Sequence, residues 1–198
     1  MKYLKMLGLM ALAATALMAF ASSASATTLE VKGVKQTSAL TIAGSLESGT
    51  SAILKDTSGF SQNTCTGSSV HGVTSVVTGS AVTGPLTGHG QLNPTGLTFT
   101  GCTRTVTVHD PGTLEITWIK GTTNGTVASE EAQVTSGSPI GTLNCKTGAT
   151  THLGTLTGSA SGHATLLVNA VINCGIIPSA KWEAAYLVTT PTGLGVVE

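Results

Sequence analysis

A chain of 198 residues with nine Lys and Arg against nine Asp and Glu has no net formal charge, and charged residues make up only 9% of it. That balance excludes the basic footprint of a nucleic-acid binder and the cationic patch that holds a protein to anionic membrane. With charge far below the ~25% of an average globular chain, the surface must be built from hydroxyls and backbone, supplied here by Thr, Ser and Gly.

The N-terminus carries an export pattern. Lys2 and Lys5 precede an apolar run from Leu7 to Phe20, and Ala24-Ser25-Ala26 is a small-x-small cleavage signal. The run is shorter than the ~20 residues of a spanning helix, and no later stretch is long and apolar enough to span. Residues 1–26 are therefore read as a signal peptide, cleaved near Ala26. The remainder is expected to be secreted, periplasmic or held at the cell surface. Without Lys2 and Lys5, seven basic residues face nine acidic ones.

From Thr28 onward the apolar period is two, which predicts strands. Leu29 and Val31 alternate with Glu30 and Lys32; Leu40, Ile42 and Leu46 follow after a turn at Gly33. Ala52–Leu54 is a short strand closed by the turn residues Lys55 to Gly59. Val70–Val77 forms the next strand, and Gly84-Pro85 and Asn93 to Gly96 break the chain after it. Leu97 and Phe99 lead into Cys102, and Asp110-Pro111-Gly112 turns the chain towards Leu114, Ile116 and Trp118 on one face.

Asn124-Gly125 is a hairpin signal. Beyond it Val127–Val134 reads as one strand, with Glu130-Glu131-Ala132 as an alternative helical turn. His152–Leu156 is another strand. From His163 to Cys174, Ala164, Leu166, Val168, Ala170 and Ile172 share one face while Leu167 and Val171 lie on the other, a pattern of burial on both sides. Trp182, Ala184, Tyr186 and Val188 form the last face after Pro178. Residues 191–198, with Pro191, Gly193 and Gly195, read as a loose tail.

Four cysteines in an exported chain imply a disulfide framework with three possible connectivities. The neighbour pairing Cys65–Cys102 and Cys145–Cys174 is expected. Loops of this size contribute about 3.5–4 kcal/mol each in the chain-entropy model. Zinc is disfavoured, because the spacing holds no Cys-x-x-Cys. The two loops echo each other. Cys65, His71, Thr78-Gly79-Ser80-Ala81, Gly88-His89 and Cys102 match Cys145, His152, Thr157-Gly158-Ser159-Ala160, Gly162-His163 and Cys174. An internal repeat follows, with a first β half at 27–122 and a second at 123–190. The expected fold is an all-β, disulfide-stapled antiparallel sandwich whose halves pack around one core.

Candidate chemistry is sparse. His71, His89, His152 and His163 hold matching places, but their spacing fits no metal motif. His109-Asp110 resembles a dyad, yet Asp110 before Pro-Gly suits a turn cap. No Gly-x-Ser-x-Gly elbow is present, and a carboxylate pair drawn from Asp56, Asp110 and Glu115 has no local support. Trp118, Trp182, Tyr186 and Phe99 offer either a sugar platform or core packing, and their alternation with aliphatics favours the core. No catalytic, metal or cofactor site is expected, so the chain is read as a non-enzyme.

In its Thr/Ser/Gly/Ala richness, cleavable signal and paired cysteines, the chain resembles a class of exported bacterial proteins. It is similar in composition to secreted biofilm-matrix and alkane-growth-associated proteins of the PraB type. The resemblance lies in texture rather than in a motif, so it transfers no residue role. It implies a structural role outside the cell. Two functions are expected from these readings. The first is a secreted or cell-surface structural or interaction protein (matrix component, adhesin or assembly subunit) with protein partners or self-association, for which an exposed edge at Thr28–Val34 is expected. The alternative is a monomeric binding module for a small hydrophobic or sugar-like ligand.

Overall fold

The computed structural model describes residues 26–91 and 94–198. The signal-peptide expectation falls on residues 1–25, outside that range, as does Asn93. The described chain is all strand and turn, without helix. The first half gives β1 (Thr27–Val31), β2 (Val34–Lys35), β3 (Thr41–Leu46), β4 (Ala52–Lys55) and β5 (Ser61–Val73). Then come β6 (Thr78–Gly79), β7 (Val82–Pro85), β8 (Leu97–Cys102), β9 (Val106–Asp110) and β10 (Thr113–Trp118). The second half gives β11 (Gly125–Glu130), β12 (Gln133–Ser138), β13 (Gly141–Lys146), β14 (Thr151–Thr157), β15 (Thr165–Ile172), β16 (Ala180–Thr190) and β17 (Leu194–Val197).

The largest sheet is antiparallel throughout and returns on itself. β5 pairs with β3, β3 with β16, and the ladder continues through β15, β14, β11 and β10 to β7. From the end of β7, Leu86 bridges back to Gly72 of β5. Thr87 donates to His71 O at 2.9 Å, and Ser75 donates to Thr83 O at 2.8 Å. These eight strands form a closed circuit, with the fit of a small barrel whose interior is filled by side chains or one small ligand. β4 continues beside β5 and β16 below β3, and β8 runs along the opposite side of β5.

The seam between β5 and β7 depends on main chains lying closer than side chains permit. A Cβ on Gly84 would sit 2.7 Å from Val73 O, and one on Gly72 would sit 2.8 Å from Pro85 O. Gly96 is wedged against Thr87 N and accepts from His71 N.

Two small sheets cover the barrel. β17, β1 and β2 form one, with β6 also on β1; their Leu29, Leu194 and Val196 are fully buried in the main core. β13, β12 and β9 form the other. Both disulfides pair as expected: Cys65–Cys102 ties β5 to β8, and Cys145–Cys174 ties β13 to the segment after β15. One main core runs from Leu29 to Val196 and draws on both halves. A smaller cluster of Leu54, Leu143, Cys145, Cys174, Ile177 and Ala180 lies beneath β13.

The all-β, antiparallel, disulfide-stapled reading holds, with sandwich-like packing of the small sheets on the large one, and with five corrections. Residues 191–198 are no loose tail, because β17 is buried and pairs with β1 from Thr28↔Val197 to Val31↔Leu194. For the same reason Thr28–Val31 is no open edge: β1 has β17 on one side and β2 and β6 on the other, and the edge expected over Thr28–Val34 is reduced to the two-residue β2, where Val34 is exposed. Val127–Val134 divides into β11 and β12 at a turn where Glu131 takes φ 60°. β15 is central, yet its outer face is bare, with Leu167 54% and Val171 56% exposed. A closed barrel has nothing outside to cover that face. The strand expected at Val70–Val77 is also longer and earlier, beginning at Ser61.

Candidate functional site

The four matching histidines are scattered. His71 Nδ1 lies 2.6 Å from Thr87 Oγ1, and His163 Nδ1 lies 2.7 Å from Val188 O. His152 is exposed on β14. His89 Nδ1 lies 2.8 Å from Asp110 Oδ1, so the partner of Asp110 is His89 rather than its neighbour His109, which contacts Thr135. Asp110 also accepts from the N–H groups of Gly112 and Gly90, at 2.8 and 3.0 Å, and so caps its turn and ties down the loop before residue 91. Partial burial raises its pKa, but the hydrogen bonds from His89, Gly112 and Gly90 outweigh that and hold the carboxyl below its ordinary value.

Asp56 does similar local work. The Ser58 hydroxyl, with the N–H groups of Phe60 and Ser58, lowers its pKa in an exposed turn. Glu115 stands on the outward face of β10, away from both. The carboxylates are turn and surface groups, and the geometry does not assemble them into an acid/base pair.

The aromatic residues converge instead on the interior. Phe99 and Trp182 meet edge to face with ring centroids 6.2 Å apart, and Trp182 meets Tyr186 at 6.5 Å. Tyr186 is fully buried, and its hydroxyl lies 2.8 Å from Ser68 Oγ. Burial pushes its phenol up to about 12 against the smaller pull of the Ser68 hydrogen bond. Trp118 is apart from this group and donates from Nε1 to Thr122 O.

These rings border a cavity of about 100 Å³ between the barrel wall and the β9–β12–β13 sheet. Leu97, Phe99, Val168 and Trp182 line it from the barrel, and Val106, Val134 and Cys145 from the covering sheet. A second void of about 70 Å³ lies inside the barrel proper and takes a lining residue from each of the eight strands. Val70, Leu86, Leu114, Leu166 and Tyr186 border both.

The covering sheet is attached at its two ends. At one end Lys146 N–H donates to Asn173 O, Ala132 and Thr147 exchange hydrogen bonds, and Cys145 is bonded to Cys174. At the other, buried Asn63 of β5 donates through Nδ2 to Ser136 Oγ at 2.9 Å and to Arg104 O at 3.0 Å. Its Oδ1 accepts from Thr103 Oγ1 and from the N–H groups of Thr64 and Arg104. Sequence reading missed Asn63; the only signal was an amide inside an otherwise hydroxyl-rich strand. Comparison with known proteins finds no matching family, no matching curated sequence and no matching solved structure.

Proposed function

We propose that this is an exported, non-catalytic structural or interaction protein that associates with further copies of itself at the cell surface or in an extracellular matrix. The observation that carries the reading is the free edge of β9. Among the described residues β9 pairs only with β12, and β8 beside it pairs only with β5. Neither strand contains lysine or proline, the usual protection of an edge. An antiparallel pair of β9 strands centred on Thr107 sets Val106 against Val108 of the second copy and Thr107 against itself. It also brings the Arg104 end of one strand to the Asp110 end of the other. Such cross-strand apolar and hydroxyl pairs stabilise a sheet by tenths of a kcal/mol each, so association is weak per contact and dependent on concentration.

Export is supported by the two disulfides, which belong to oxidising compartments. The barrel wall is apolar inside, and outside it carries Thr117, Thr126, Thr155, Lys181 and Glu183 alongside the exposed Leu167 and Val171. An apolar, side-chain-filled interior is the reverse of the polar lumen of a lipid-facing barrel and suits an aqueous setting. Size-exclusion chromatography with negative-stain microscopy on oxidised Thr27–Glu198, across a concentration series, tests the proposal. Oligomers or ordered polymers that disappear in Val108→Lys support it. A clean monomer at every concentration removes self-association from consideration.

A further inference from the structure

We infer that the space between the barrel and the β9–β12–β13 sheet is a binding site for a small, uncharged, apolar molecule about the size of one aromatic ring. Protein interiors are close-packed, and voids larger than a water are few. This one is about 100 Å³ with a 70 Å³ neighbour across shared side chains. Cavities of roughly 150 Å³ lined by aliphatic and aromatic groups stay dry and take up benzene. The size therefore fits a ring or a short branched hydrocarbon and excludes a lipid tail.

Polarity sets the class. The hydroxyls of Tyr186 and Ser68 satisfy each other, and every hydrogen-bonding position of Asn63 is occupied. Gln62 Oε1, the one buried side-chain atom without a partner among the described residues, lies outside the lining. Of the hydroxyls in the lining, Ser136 Oγ is held between Asn63 and Gly137 O, and Ser129 and Thr147 face each other at 3.4 Å, so the inward surface is mainly apolar and the Phe99–Trp182–Tyr186 edges offer ring-to-ring contact.

The way in is also visible. The eight barrel strands are hydrogen-bonded to a neighbour on both sides, whereas the covering sheet is held by the Asn63 hydrogen bonds at one end and by the Cys145–Cys174 disulfide and the Leu54, Leu143 and Ile177 packing beneath β13 at the other. Asn63 is the latch, and the molecule passes beneath β9 and β12 when it releases.

Trp182 lines the site and supplies its own reporter. With Trp118→Phe in oxidised Thr27–Glu198, toluene is expected to change Trp182 fluorescence saturably and to raise the unfolding temperature, while glucose does neither. Val168→Phe from the barrel or Val134→Phe from the covering sheet fills the space, and each is expected to weaken toluene binding at least tenfold. Two positions are used so that one folded variant suffices. No saturable toluene response in folded protein, equal binding by a folded filled variant, or a response to glucose overturns the inference. Self-association is read separately by chromatography, so either proposal can fail alone.

Discussion

Tyr186 is the most informative single residue. Tyr3 precedes Thr27, so Tyr186 is the sole tyrosine of Thr27–Glu198, and its phenolate absorbance can be followed without overlap from a second tyrosine. Burial in the fold raises its pKa to about 12 from the ordinary 10.0 of a phenol. Stability from the neutral phenol is therefore complete below pH 10 and is lost as pH climbs from about 10 to 12. Two units correspond to about 3 kcal/mol. Alkaline titration should show late ionisation coincident with loss of the fold; ionisation near pH 10 with the fold intact would contradict the buried Ser68 contact. Asp110 works in the other direction. Its depressed pKa adds stability above the ordinary aspartate range, lost as pH falls below it. Asn63→Ala removes the latch, takes the hydrogen-bond partner from both Arg104 N and Arg104 O and leaves Ser136 Oγ only Gly137 O, and should cost about 2–4 kcal/mol in urea unfolding.

At the scale of elements, the sheet's closure makes opposite demands on two positions. Gly84→Val pushes a side chain into Val73 O at the seam and should destabilise by about 1–3 kcal/mol or more. Leu167→Thr, on a core-like sequence pattern but an exposed face, should shift stability by no more than about 0.5 kcal/mol. Thermal or urea unfolding of the pair would separate a closed barrel from a sheet covered on both faces.

These contrasts mark how far the sequence could be read. Period-two alternation gave the strands, and cysteine proximity gave the disulfides, because both are local signals. Leu167 and Val171 misled because a two-sided apolar pattern ordinarily means two covered faces. Gly84 and Gly96 look like turn punctuation and Gly72 sits within the expected strand Val70–Val77; their role emerges only when β5 meets β7. β17 was hidden by Gly193 and Gly195. Gly195 stands opposite Glu30 in the β1–β17 ladder, so that glycine is a strand residue rather than a sign of slack. The cavity had a fainter trace in the small inward residues Ala52, Ser129 and Ser136, but its volume depends on segments far apart in sequence.

At the scale of the molecule, the two disulfides differ in what they hold. Cys65–Cys102 spans strands already paired with each other. Cys145–Cys174 fastens a separate sheet, so replacing both of its cysteines with alanine should cost about 3–4 kcal/mol. It should also loosen β12 and β13 ahead of the barrel. Hydrogen exchange checks this: early exchange confined to residues 133–146 is expected, and uniform exchange across both sheets would count against it.

The pairing of β1 with β17 also sets an order of events. Thr28–Val31 meets its longest partner only when Leu194–Val197 is present, so the first strand made is among the last to be secured. A chain delivered progressively, from a ribosome or through a pore, would hold Leu29 exposed until Leu194–Val197 had arrived. The two strands then fasten together like a clasp, which delays completion of the fold and keeps the preceding segment threadable until that point.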